Sequence, residues 1–299
     1  MDKQTRSVPS KPEEKPQTLR EGPIVIDLDG ILRKRLPVKV SRLLPRFVTA
    51  SLERLIRQKE LNEILRITYP GRGSEFAGKV LKHLEIKVEI NGLDNIPEGK
   101  RLMFASNHPL GGLDGITLIA VLGEKFGDHG IRFLVNDMLM NVEPLQEMFL
   151  PVNKFGKQGR DAAKAINEAM ESEMQIFQFP AGLCSRRQKK GEIKDLEWQK
   201  SFVAMAIRYK RDIVPVYFEG SNSAKFYNTA YWRKKLGINF NIEQILLPSE
   251  VCKAKGSCYR IVFGTPISWQ TLRDSGKTPK ELAGELRSVC YSLSENLKD

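Results

Sequence analysis

Ser106-Asn107-His108-Pro109-Leu110-Gly111-Gly112-Leu113-Asp114-Gly115 is the stretch of this chain best equipped for chemistry. It sets one of the three histidines just past the apolar run Leu102-Met103-Phe104-Ala105, with an aspartate six positions later. An imidazole serves as a base through one ring nitrogen when an acceptor holds the other. Pro109, Gly111 and Gly112 make the intervening segment a turn that brings the Asp114 carboxylate back to His108. His108 is thus a candidate general base and Asp114 its orienting partner. Two more turns follow apolar runs. One is Pro151-Val152-Asn153-Lys154-Phe155-Gly156-Lys157; the other is Phe179-Pro180-Ala181-Gly182-Leu183-Cys184-Ser185-Arg186-Arg187. No G-x-S-x-G elbow occurs, so the chemistry calls for no serine nucleophile of that kind.

The elements that position these turns alternate. Helical spacing or strand composition predicts a helix over 76–84, a strand over 85–90, a buried strand over 101–105 ending at His108, and a helix over 115–126. A strand over 131–135, a helix over 160–172, a strand over 174–179, a helix over 196–209, a strand over 213–218 and a closing helix over 278–297 complete the pattern. Such alternation predicts an α/β layer architecture, a sheet flanked by helices. In open α/β sheets, sites assemble at the C-terminal ends of strands, where all three turns fall.

Residues 1–23 are rich in Lys, Glu, Gln and Pro with almost no apolar side chains, and read as a disordered tail. Ile24-Val25-Ile26-Asp27-Leu28-Asp29-Gly30 reads as a short strand. Residues 43–67 read as two helices. Leu44, Phe47, Val48, Leu52, Leu55 and Ile56 share one face of the first, and Arg42, Arg46, Glu53 and Arg57 lie opposite. A basic amphipathic helix of this kind either docks on a core or lies on an anionic membrane. The domain division is therefore a tail over 1–23, an N-terminal strand and helical segment over 24–73, and the main domain over 74–299.

With 48 Lys and Arg against 36 Asp and Glu, the formal charge is +12. That surface favours nucleic acid, acidic lipid headgroups or an acidic carrier protein, and charge alone does not choose among them. Arg186-Arg187-Gln188-Lys189-Lys190 has no interleaved aromatic, whereas Tyr231-Trp232-Arg233-Lys234-Lys235 does and suits a membrane interface or a nucleic acid. No run approaches the ~18 apolar residues of a spanning helix, and no secretory signal pattern is present. Four cysteines in no C-x-x-C pair read as reduced thiols of a cytoplasmic protein, and no metal site is expected. Asp27-Leu28-Asp29-Gly30 is like the nucleophile strand of haloacid-dehalogenase-type phosphatases. The helices that follow it do not continue that fold.

The turns carry a resemblance. Asn107-His108 with Asp114, then Asn153-Lys154, then Phe179-Pro180-Ala181-Gly182 with Ser185-Arg186, then Ile213-Val214-Pro215-Val216 occur in the order of the four motifs of the glycerolipid acyltransferases. The resemblance spans 76–267. Five residues separate His108 from Asp114 where the family has four, and Ala181, Leu183 and Cys184 stand where it has Glu, Thr and Arg. The Asn-His-Pro-Leu-Gly-Gly-Leu-Asp-Gly form resembles a bacterial subgroup that includes enzymes acylating lyso-glycine and lyso-ornithine lipids. What the resemblance implies is direct O-acyl transfer in membrane lipid synthesis. His108 takes the proton from a lysolipid hydroxyl as it attacks the thioester of acyl carrier protein or coenzyme A. Asn107, Asn153, Lys154, Gly182, Ser185, Arg186 and Arg187 become the substrate-binding candidates. A lyso-aminolipid and a lysophosphatidic acid both remain open as acceptor, and an arginine grips the carboxylate of one as well as the phosphate of the other. The oxyanion falls to backbone N–H groups at Gly111-Gly112 or Ala181-Gly182. The same resemblance implies no cofactor, a peripheral place on the cytoplasmic face of the inner membrane, an anionic membrane surface as partner, and no nucleic acid. A basic membrane- or nucleic-acid-binding protein is the non-enzymatic alternative.

Overall fold

The structure, a computed structural model, describes residues 22–35, 37, 43–152, 159–188 and 191–297. Of the tail expected over 1–23, residues 1–21 lie outside them. The centre is a seven-stranded sheet in the order β1 (Lys87–Asn91), β9 (Cys258–Phe263), β8 (Asp212–Phe218), β2 (Leu102–Ser106), β5 (Gln175–Gln178), β3 (Ile131–Asn136), β4 (Phe149–Val152). Neighbours are parallel except β8 and β9, which run antiparallel. A small hairpin of β6 (Arg186–Arg187) and β7 (Ile193–Lys194) stands apart.

β2 is buried along its whole length, so its side chains alternate between two cores. Leu102 and Phe104 face α4 (Gly73–His83) and α5 (Leu113–Phe126), in a core with Phe76, Val80 and Leu118. Met103 and Ala105 face the opposite layer of α6 (Arg160–Glu171), α7 (Ser201–Arg208) and α11 (Pro279–Ser292), with Met170, Phe202 and Leu286. Gly123 lets α4 and α5 lie close: a Cβ there would sit 2.5 Å from Ser74 Cβ. Arg211, fully buried just ahead of β8, caps the C-terminal end of α6.

Two expectations change. Residues 24–27 form no strand. Ile26 exchanges two hydrogen bonds with the Asn62 side chain, and the Asp27 carboxylate accepts from Gly30 N at 2.9 Å. Asp27 therefore starts a helix, α1 (Leu28–Arg35), as aspartate at such a position favours. Residues 43–67 do hold two helices, α2 (Arg46–Leu55) and α3 (Gln58–Thr68), broken where Arg57 takes φ 57°. The helix expected over 196–209 begins only at Ser201; ahead of it, Trp198 Nε1 donates to the Asp195 carboxylate at 2.9 Å. The sequence reading did not reach β4, β9, α8 (Ala224–Lys235), α9 (Leu247–Lys253) or α10 (Trp269–Asp274). No helix among the described residues is long and apolar enough to cross a membrane.

Candidate active site

β2 ends at Ser106, and the chain turns through Pro109 to Gly112 into α5. Gly111 takes φ 75°, and a Cβ on it would meet Cys184 and Leu247 side chains at 2.9 Å, so the turn needs glycine there. The turn folds Asp114, in the first turn of α5, back onto His108: Nδ1 and Oδ2 are 2.9 Å apart. The same oxygen accepts from Leu110 N at 2.9 Å and Gly111 N at 3.2 Å, and Oδ1 accepts from Gly115 N at 2.8 Å. Asp114 is completely buried. Burial opposes its charge, but the neighbouring His108 charge, the hydrogen bond to that ring and the Leu110 and Gly115 amides outweigh it and hold the carboxyl below its ordinary range. With a carboxylate as acceptor, Nδ1 carries the proton and Nε2 keeps the lone pair of a base. The ring stacks on Phe179, centroids 3.8 Å apart.

His108 opens onto an apolar cavity of about 320 Å³. Gly111, Gly112, Gly115 and Gly182 lie at its His108 end. Ile116 and Ile119 of α5, Leu61, Ile64 and Leu65 of α3, Phe76 and Val80 of α4, and Phe133 of β3 line the rest. The spacing 61, 64, 65 is an inward helical stripe that the sequence displays. What it faces comes from elements far along the chain.

The substrate-binding candidates separate. Asn107 is buried and joins strand ends, donating to Phe218 O at 2.8 Å and accepting from Phe218 N at 2.7 Å. Ser185 N donates to His108 O at 2.7 Å, so the first and third turns touch. Arg186 turns inward: Nη1 donates to Cys184 O at 2.6 Å and Nη2 to Glu243 at 2.8 Å, and it is not among the cavity's lining residues. Arg187 is exposed and donates to Asn228 Oδ1 at 3.1 Å. Asn153 and Lys154 lie outside the described residues. Of the four N–H groups expected for an oxyanion, Gly111's serves Asp114 and Gly182's closes its own turn onto Phe179 O at 3.0 Å. Among the described residues, no group of three or more His, Cys, Asp and Glu side chains is placed to hold a metal.

Asp195 escaped the sequence reading, since no spacing marks it. Its buried carboxylate accepts from His108 N at 3.1 Å, Ser185 Oγ at 2.6 Å and Trp198 Nε1 at 2.9 Å. Tyr291 and Arg287 hold its backbone. It ties the base-bearing turn to the third turn. Burial raises its pKa, against the hydrogen bonds it accepts. Asparagine there offers one acceptor for two sides of donors, so Asp195→Asn is expected to lower kcat by about 10²-fold through displacement of His108, with KM retained; unchanged kcat contradicts this. The raised folded pKa means the folded state binds more protons than the unfolded one between the ordinary aspartate value and the raised one. Stability attributable to Asp195 therefore falls as pH rises through that window. Urea unfolding of Asp195→Asn across the same window should lack that fall.

A histidine held by a buried carboxylate and opening onto an apolar cavity of about 320 Å³ suits transfer chemistry on lipids. The family described as Acyltransferase matches residues 31–299. A lyso-glycine lipid O-acyltransferase of Bacteroides thetaiotaomicron is 43% identical over 269 residues, covering 90% of this chain and 97% of that protein. One of the same name from Phocaeicola vulgatus is 44% identical over 269 residues, 90% and 95% covered. A solved 1-acyl-sn-glycerophosphate acyltransferase from Thermotoga maritima aligns at a TM-score of 0.44 and 15% identity, over 85% of this chain and 93% of that one. With a match over most of its length and two such relatives, the chain belongs to the acyltransferase family.

Proposed function

We propose that the protein moves a fatty acyl group from the thioester of acyl carrier protein or coenzyme A to the hydroxyl of a lyso-glycine lipid, working as a peripheral protein on the cytoplasmic face of the inner membrane. The observation that carries this reading is the His108–Asp114 dyad, with His108 lining the apolar cavity; the names of the two relatives support the acceptor.

His108 Nε2 removes the proton as the acceptor oxygen attacks the thioester carbonyl. Asp114 stabilises the imidazolium that forms. Collapse of the tetrahedral intermediate breaks the C–S bond, and the imidazolium returns its proton to the leaving thiolate. Gly112 starts α5, whose N-terminal dipole favours the negative oxygen. The donor's acyl chain occupies the cavity. Arg187, the exposed arginine of its pair, together with Asn153 and Lys154, is the proposed contact for the acceptor's acidic group.

The cavity runs along α5 away from the dyad, and Ile119 lies about 6 Å beyond Gly115 by helical rise. Ile119→Phe is expected to shift donor preference toward shorter acyl chains, at about fourfold per methylene displaced; an unshifted chain-length profile contradicts the assignment of the cavity. The reading as a whole is tested by offering lyso-glycine lipid and lysophosphatidic acid side by side with labelled acyl carrier protein or acyl coenzyme A. Selective transfer to the glycine lipid is expected; selective transfer to lysophosphatidic acid would reassign the acceptor.

A further inference from the structure

Exposed large apolar side chains are concentrated in one segment. Tyr231, Trp232, Leu236, Ile238, Phe240 and Ile245 fall within fifteen residues, with Leu236 71% and Phe240 68% exposed. Their loop is not loose. Arg233 reaches beneath it, donating from Nη1 to Ile238 O at 2.9 Å and setting Nε 2.9 Å from Glu243 Oε2. Ile238 N returns to Arg233 O at 3.1 Å. The backbone is pinned from inside while its apolar side chains point out.

The charge around these side chains has one sign. Residues 224–241 contain Lys225, Arg233, Lys234 and Lys235 and no acidic residue, and nearby Glu243 is fully buried between Arg186 and Arg233. Lys235 Nζ sits 4.9 Å from the Trp232 ring centroid. Aromatic, aliphatic and lysine side chains in one patch suit the headgroup–acyl boundary of an anionic bilayer. The segment also stands on the site. Phe226 and Tyr227 at its base pack with Cys184 and Leu246, and Leu247 abuts Gly111 of the dyad turn.

We propose that residues 231–240 form a hook that inserts into an anionic lipid surface. The proposal rests on the lysolipid reading above, because it gives the hook the membrane that holds the acceptor.

The test uses the full chain, sedimented with phosphatidylcholine vesicles with and without phosphatidylglycerol. Two variants, Leu236→Ser with Phe240→Ser and Lys234→Gln with Lys235→Gln, are compared with wild type. Transfer to detergent-dispersed lyso-glycine lipid is measured in parallel. Wild type should prefer the anionic vesicles. The apolar variant should bind them at least about tenfold more weakly, and the lysine variant about fivefold more weakly per charge. Both should retain wild-type transfer to the dispersed acceptor. Variants that bind vesicles as wild type does, or a wild type indifferent to phosphatidylglycerol, overturn the hook. So does a raised KM for the carrier thioester, or a lost self-association, with vesicle binding unchanged. Weakened vesicle binding with no transfer by any form upholds the hook and removes the lysolipid reading instead.

Discussion

His108→Ala is expected to lower kcat for acyl transfer by about 10²–10⁴-fold with the fold intact. The ring is 15% exposed at the side chain and packs on one face against Phe179, so its loss opens little of the core. What disappears is the group proposed to take the acceptor's proton. Asp114→Asn should be milder, on the order of 10²-fold, for a geometric reason. Every contact to that carboxylate is a donor: His108 Nδ1 and the amides of Leu110 and Gly111 on one oxygen, Gly115 N on the other. An asparagine will turn its oxygen to the three donors and its NH2 to the single one. It keeps the imidazole tautomer but loses the charge that stabilises the imidazolium. Steady-state rates with one donor and one acceptor measure both. An Asp114→Asn loss larger than that of His108→Ala would contradict the assignment of base and partner.

Arg211→Met is expected to have the largest effect on stability, a loss of at least about 3 kcal/mol. All five guanidinium hydrogens are used. Nε meets Met170 O at 2.9 Å, Nη1 meets Met174 O at 2.7 Å and Leu102 O at 3.3 Å, and Nη2 meets Ser172 O at 2.7 Å and Ala169 O at 2.9 Å. Those carbonyls belong to the end of α6, the chain leading into β5 and the start of β2, so one side chain terminates a helix and locks it onto two strands. A positive charge there also faces the negative end of the α6 dipole. Burial lowers its pKa to about 10, which still leaves it charged at neutral pH. Methionine fills much of the volume but supplies none of the five donors; of the carbonyls they serve, Ala169 O keeps Ser172 Oγ at 2.8 Å. Thermal unfolding should show a midpoint roughly 6–12 °C lower, and a midpoint equal to wild type would contradict this account of Arg211.

The two residues differ in how far the sequence displays them. The dyad was legible because its parts are six positions apart on a turn whose glycines and proline announce it. The strands flanking it were legible as short apolar runs between helical patterns. Arg211 was not, since its partners lie 37 to 109 positions away and nothing local distinguishes it from a solvated arginine. Asp195, 87 positions from His108, is hidden for the same reason. Arg186 shows the converse. Its place in a Pro-Gly turn suggested an anion grip, but Glu243, from a short 3-10 helix with no signal of its own, draws it inward. The stretch after Ile24-Val25-Ile26 reads as a strand by composition. The decisive partner is Asn62, whose side chain satisfies the Ile26 backbone in place of a neighbouring strand. Tertiary partners override local propensity at each of these positions.

The most direct test of the central claim is transfer of a labelled acyl group from acyl carrier protein to lyso-glycine lipid by purified wild-type protein and by His108→Ala. The account predicts a labelled diacylated product with wild type, and with the variant a rate lower by about 10²-fold or more in a protein that melts as wild type does. Equal product from both proteins, or none from a folded wild type, would contradict it.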